Sequence, residues 1–248
     1  MAIGDRTPPP AANANAAVRE RARSVHHPLS RTLLVLTFTA GLVDAACFLG
    51  LGRVFTANMT GNVVLLGFGV AGSAGLPVVA PVISLAAFMA GAFVGGWIAS
   101  QLEDRNPEHL ARTLAVETAL ETSAAAIAAA ATVRANSGAA YTVIALLALA
   151  MGARSATVRR IAVPDLNTTV LTMTMTALAS ELPIFGGSPR GAVRRSSALV
   201  SMFAGAVAGA LLLRQSVALP IALAAALAFA AFVAYPRAER RTHTARAG

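Results

Sequence analysis

The chain has 248 residues, 56% of them hydrophobic and only 12% charged, with a mean hydropathy of +0.66. A soluble domain is about a quarter charged, and one water-facing core cannot hide this much apolar surface, so the composition predicts an all-α, polytopic membrane protein. The net charge of +9 sits mostly on Arg in the tails and short loops, as the positive-inside rule gives, and no basic segment interleaved with aromatics points to nucleic acid.

The single cysteine, Cys47, excludes a disulfide framework and a Cys-rich metal site within one chain. Residues 1–30 are rich in Ala, Pro, Asn and Arg and lack a short apolar stretch ending in a cleavage site. They read as a disordered cytoplasmic tail, with the first apolar run as an uncleaved anchor. Eight apolar segments follow. Segment one (32–51) carries a lone Asp44. Segment two (54–72) is interrupted by Asn58, Thr60, Gly61 and Asn62. Segment three (77–100) reads as clean, and a charged loop (101–112) follows it. Segment four (113–133) holds Glu117 and Glu121, and segment five (139–158) holds Arg154. Segment six (166–182) is threonine-rich. Segments seven (197–213) and eight (217–235) lead to an Arg-rich, loose tail (236–248).

The two halves match in order: a first membrane repeat over 31–135 and a second over 136–235. Gly41-x-x-Asp44 corresponds to Gly152-x-x-Ser155, and Thr60-Gly61-Asn62 to Thr172-Met173-Thr174. Ala87-x3-Gly91-x3-Gly95 corresponds to Ser201-x3-Gly205-x3-Gly209. Small residues at this spacing let membrane helices approach closely, and their faces are also candidates for joining copies of the chain as a homo-oligomer. Eight full spans would put Arg154, Arg159 and Arg160 outside. If segments two and six dip in and return, only Arg53, Arg134 and Arg214 lie outside, which is the cleaner positive-inside pattern. The expectation is therefore about six spans plus two broken or re-entrant segments, in two inverted halves, with both termini cytoplasmic. Interrupted helices in inverted repeats recur in secondary transporters. Trp97, Tyr141 and Tyr235 lie near segment ends, where interfacial aromatics belong.

Candidate chemistry follows from the cost of polar groups in lipid. A carboxylate in mid-helix costs roughly 2.5–3.5 kcal/mol on insertion scales, so Asp44 is either a proton or cation site or a buried partner of an arginine such as Arg154. Glu117 and Glu121 share a helix face, which suits a shared proton, or else Glu117 pairs with Arg112 or reaches the headgroups. Irregular backbone around Gly61 would present Asn58, Thr60 and Asn62 to a solute. Thr169, Thr172 and Thr176 fall on one face of segment six and would complete the site, or else they make packing hydrogen bonds. Arg154 either snorkels from the inner end of segment five, pairs with Asp44, or binds an anion. Enzyme signatures are missing. The histidines, at 26, 27, 109 and 243, lie outside the apolar segments, and no His-Glu-x-x-His, phosphate-loop or dinucleotide fingerprint is present. No cofactor is implied.

The stretch from Gly41 through Asp44 to Phe55, ending in Met59-Thr60-Gly61-Asn62, resembles the YoaK family of bacterial inner-membrane proteins, a domain of unknown function. Ala150-Met151-Gly152 with Arg159-Arg160 resembles it too, and the likeness covers about 31–235. The family's second-half motif often reads Thr-Gly-Thr, where this chain has Thr172-Met173-Thr174. The resemblance implies a polytopic protein and no established activity. The leading expectation is a secondary carrier or channel for a small solute, proton-coupled through Asp44, in a bacterial inner membrane. The alternative is a non-transporting scaffold or assembly partner. An enzyme acting on lipid headgroups through Arg154, Arg159, Arg160, Arg190, Arg194 and Arg195 comes third, because it lacks a catalytic base.

Overall fold

Proline marks most of the helix starts. Pro28, Pro81, Pro107, Pro189 and Pro220 each fall in the first turn of a helix, where the missing N–H has no intrahelical partner to lose. The computed structural model describes residues 28–73, 75–100, 106–131, 133–161, 171–180 and 189–244, and every regular element among them is helical. In chain order these are α1 (Pro28–Ala46), which continues into a π-helical turn (Cys47–Gly52), α2 (Met59–Val70), α3 (Val79–Ser100) and α4 (Asn106–Ala130). Then come α5 (Gly138–Ile161), α6 (Leu171–Ser180), α7 (Pro189–Leu213) and α8 (Ala218–Thr244).

Five of the helices are long and apolar enough to cross a membrane: α1 with its π turn, α3, α5, α7 and α8. Helix α4 has the length, but Glu108, Arg112, Glu117 and Glu121 lower its apolarity; it packs between α5 and α8. Helices α2 and α6 have 12 and 10 residues. At 1.5 Å per residue, the longer of them spans roughly 18 Å, well short of a hydrocarbon core of about 30 Å.

Glycine sets the closest helix contacts. On α1, a Cβ at Gly41 would meet Met202 O and lie 2.7 Å from Ala206 N of α7; in return Gly205 and Gly209 of α7 lie against Phe38 and Leu42 of α1. Helix α5 meets α3 in the same way: Gly152 against Phe88 and Ala92, Gly91 against Leu149, Gly95 against Ala153. The first long helix of each half thus packs on the third helix-segment of the other. The glycine faces expected to join copies of the chain are therefore occupied inside it. The outward faces of α3 and α7 are apolar instead, with Met89, Phe93 and Trp97 on one and Val200, Phe203 and Leu211 on the other all exposed. Stripes of this size suit contact with lipid.

Several sequence expectations change. The tail after 235 is helical as far as Thr244, running through Pro236, and Arg237 Nη1 donates to Val233 O at 3.1 Å beside the proline. Tyr235 is buried with Leu29, Leu33, Leu110 and Leu114. The loop expected over 101–112 gives way to α4 at Asn106, where Asn-Pro-Glu makes a helix start. The tail expected over residues 1–30 lies outside the described residues up to 27, and α1 begins at Pro28.

Gly91→Ala drives a Cβ into the Leu149 backbone, which has no flexible end to move aside, and is expected to cost at least about 2 kcal/mol. Gly96→Ala meets nothing within 4 Å and is expected to be neutral or to gain up to about 1 kcal/mol. The buried Cys47 is the chain's one thiol. Its labelling by a fluorogenic thiol dye during a thermal ramp in detergent reports unfolding for both variants.

Candidate functional site

Between the π turn and α2 the backbone leaves helical geometry. Arg53 adopts a left-handed conformation (φ 53°), and residues through Asn58 run without helix hydrogen bonds of their own. An amide left unpaired at membrane depth costs several kcal/mol, so each group here needs a partner. Asp44, nearly two turns before Gly52, supplies two of them. Its Oδ1 accepts the N–H groups of Thr56 and Ala57, both at 2.8 Å, and the Thr56 hydroxyl at 3.3 Å. Asn62, in the first turn of α2, serves Phe55 on both sides: Oδ1 accepts its N–H at 2.8 Å, and Nδ2 donates to its carbonyl at 2.7 Å. Ser84 on α3 donates to the same carbonyl at 2.7 Å and accepts from Asn62 Nδ2 at 3.1 Å. Segment three is therefore not polar-free: Ser84 is fully buried and part of the clamp.

The far side of this break faces a cavity of about 570 Å³. The loop contributes Phe55, Ala57 and Asn58, and α2 contributes Thr60, Gly61, Val64 and Leu65. Phe48 comes from the π turn, Thr172 and Met175 from α6, and Met202 from α7. Phe48 and Phe55 stack, with ring centroids 4.8 Å apart. A Cβ at Gly61 would lie 2.8 Å from the Phe55 ring, so glycine lets that ring lie flat on α2. Among the described residues the lining is mainly apolar, with one carboxamide and two hydroxyls and no charged group.

A second polar node lies elsewhere, between α1, α4 and α5. Arg154 is 2% exposed and grips Glu117 with two nitrogens: Nε donates to Oε2 at 3.0 Å, and Nη2 meets Oε1. Nη1 donates to Leu36 O at 2.6 Å, and Nη2 also donates to Thr39 Oγ1 at 3.0 Å. Glu121 approaches Nη2 through Oε1 at 3.4 Å. One turn toward the C-terminal end of α5, Thr157 shares a 2.8 Å hydrogen bond with Thr113 of α4.

The candidate residues separate into two groups. Asn58, Thr60, Gly61 and Thr172 line one cavity, and α2 and α6 meet there. Asp44 and Asn62 hold the cavity's loop from behind. Arg154 neither snorkels nor pairs with Asp44; its hydrogen bonds go to Glu117, Glu121, Leu36 and Thr39, because α5 turns this residue into the bundle rather than toward its end. The same geometry removes Arg154 from any surface cluster with the exposed Arg159 and Arg160, and takes Glu117 away from Arg112. Thr176 is exposed and donates to Thr172 O at 3.0 Å, while Thr169 lies outside the described residues. Sequence reasoning missed Ser84. A single hydroxyl in an otherwise apolar run was the available signal.

Asn62→Ala removes four hydrogen bonds, one of them a long contact to Met59 Sδ, and leaves both backbone groups of Phe55 short of partners; it is expected to destabilise the fold by roughly 2–4 kcal/mol. Thr60→Ala, on the open wall of the cavity, is expected to stay within about 0.5 kcal/mol of the parent. Parallel denaturant titrations in micelles, read by Cys47 labelling, separate the two.

Residues 32–234 match the model of a family described as a protein of unknown function, DUF1275. A similar curated relative is the UPF0700 transmembrane protein YoaK of Bacillus subtilis (strain 168), 29% identical over 151 residues, which is 60% of this chain and 65% of that protein. The chain thus spans a little under two thirds of that relative's length. No solved structure matches it. With the family match covering nearly the whole helical bundle, and with five helices long and apolar enough to cross a membrane, the chain belongs to the DUF1275, YoaK-like family of multi-pass membrane proteins.

Proposed function

We propose that this protein is a carrier or channel for a small neutral solute, and that the solute sits in the cavity between α2 and α6. The cavity carries the reading. Its volume of about 570 Å³ falls within the range of roughly 300–1,000 Å³ usual for small-molecule sites. Its wall combines a stacked aromatic pair and two methionines with Asn58, Thr60 and Thr172. Such a wall suits a solute with an apolar body and one or two hydrogen-bonding groups. A charged solute would lose its hydration with no counter-charge to replace it.

Two further observations support transport over a static role. As described, α2 and α6 are short, at 12 and 10 residues, and both border the cavity, as interrupted segments do in carriers. The exchange of glycine contacts, α1 on α7 and α5 on α3, is what two duplicated halves of opposite orientation would give. On this reading the spans are α1, α3, α4, α5, α7 and α8. An even number puts both termini on one side, and the Arg distribution makes that side the cytoplasm of a bacterial inner membrane.

The test is uptake and efflux in a host strain. It compares the parent with Thr60→Trp and Thr172→Trp, which fill the cavity, at matched membrane levels against a panel of neutral nutrients and toxic compounds. The expected result is at least one compound whose accumulation changes with the parent and returns to the empty-vector value with both tryptophan variants. A panel on which parent, variants and empty vector coincide throughout would sink the reading. Topology is checked separately on a Cys47→Ala background, with single cysteines at Arg53, Gly75, Asn136 and Arg214 and an impermeant thiol reagent on intact cells. Labelling at all four is expected. Protection of position 75 alone would make α2 part of a full crossing.

A further inference from the structure

The node around Arg154 carries more negative groups than its guanidinium can serve. Glu117 takes Nε and Nη2. The remaining reach of Arg154 goes to the Leu36 carbonyl and the Thr39 hydroxyl, which itself donates to Leu36 O at 2.9 Å. Glu121, one turn along α4, is left with a single 3.4 Å approach through Oε1 to a nitrogen already shared by two other acceptors. Its Oε2 is buried and meets no hydrogen-bond partner. Glu117 and Glu121 are both fully buried, and an oxygen of each approaches the same Arg154 Nη2.

Ionised together, the two glutamates and Arg154 would leave one uncompensated negative charge in a site closed to water. An unpaired buried charge of this kind costs several kcal/mol. Among the described residues no second cation lies within ion-pairing distance of either glutamate, Arg31 near the start of α1 included. Helix α5 brings Arg154, with Tyr141 near its start and Arg159 and Arg160 exposed near its end. Helix α1 brings Asp44, a further carboxylate, and the π turn brings Cys47. Helix α8 brings Tyr235, which packs beside Leu110 and Leu114 a turn or more away. Helix α3 contains no titratable residue.

We propose that Glu121 is a proton-binding site: its carboxyl group takes up one proton, shared toward Glu117, and gives it back as the protein works. The step is a simple protonation. A proton joins a Glu121 oxygen, the excess charge disappears, and two facing acceptors become a donor and an acceptor. Glu117 keeps both its contacts with Arg154. Geometry selects Glu121 because Glu117 is saturated by the guanidinium, and Asp44, whose Oδ2 is likewise buried without a partner, already has Oδ1 engaged by three donors of the loop. The site stands on this geometry alone and does not require the cavity to carry a solute.

The test is pH-difference infrared spectroscopy of the purified full-length protein in lipid nanodiscs. The parent is expected to show the carbonyl band of a buried protonated carboxylic acid, shifted in heavy water and lost as pH rises, and Glu121→Gln is expected to lack that band. Because glutamine reproduces the protonated shape, Glu121→Gln should keep the parent's melting temperature. Glu117→Gln removes the partner of Arg154 and should melt well below it. A band that survives in Glu121→Gln, no band at all, or a band that stays constant at every pH the fold tolerates would overturn the proposal. So would sodium ions raising the parent's melting temperature while removing the band, since that outcome makes the site a metal-cation site instead.

Discussion

A polar group that enters the hydrocarbon region must bring or find its partner, and the organisation of this protein follows from that constraint. The chain breaks helical geometry after Gly52, where Arg53 turns left-handed, and exposes backbone that a continuous helix would have satisfied internally. Asp44 answers for Thr56 and Ala57, and Asn62 with Ser84 answers for Phe55. With those bonds in place, the loop becomes a fixed wall. The same rule acts on Arg154, whose burial is tolerable only because Glu117 matches it with two oxygens and α1 adds a carbonyl and a hydroxyl.

Close glycine contacts decide what remains open. Gly41, Gly205 and Gly209 draw α1 and α7 together, and Gly91, Gly95 and Gly152 do the same for α3 and α5. Without a hydrophobic drive between helices in lipid, packing this tight supplies much of the association. Helices α2 and α6 have no comparable seam. Each rests mainly on one neighbour, α2 on α3 and α6 on α7, with Arg195 Nη1 donating to Ala177 O at 3.1 Å. The space between them is therefore left by the packing of the long helices rather than carved out of a core.

Much of the fold was legible in the sequence because hydropathy and small-residue spacing are local signals. The eight apolar segments correspond to eight described helices, and the interruption at Asn58-Met59-Thr60-Gly61-Asn62 coincides with the start of a short helix after irregular chain. The sequence could not say which side of the break each polar group faces. Asn58 and Asn62 are four residues apart, yet one lines the cavity and the other is wholly buried against Phe55 and Ser84. The partner of Arg154 was equally out of reach. Asp44, Glu117 and Glu121 are all acids within apolar segments of the sequence, and choosing among them needs the arrangement of α1, α4 and α5. Pro236 misled in the other direction: a proline near the end of an apolar run usually stops a helix, but α8 continues through it.

Helix α1 belongs to both polar nodes, and this joins them mechanically. Leu36 and Thr39 hold Arg154, while Asp44, five residues beyond Thr39 and so roughly 8 Å along the axis, holds the cavity loop. The helix between them is pressed on α7 at Gly41, where a neighbouring backbone leaves no room to bend. A displacement of α1 along its axis would therefore reach Thr56 and Ala57 with little loss. Helix α5 also packs on the loop, through Ala150 and Met151 against Ala57, but by apolar contact, whereas α1 holds the loop by hydrogen bonds. The architecture thus places one helix in hydrogen-bonded contact with both the glutamate–arginine cluster and the wall of the cavity, with the glycine seam pressing that helix on α7 between the two.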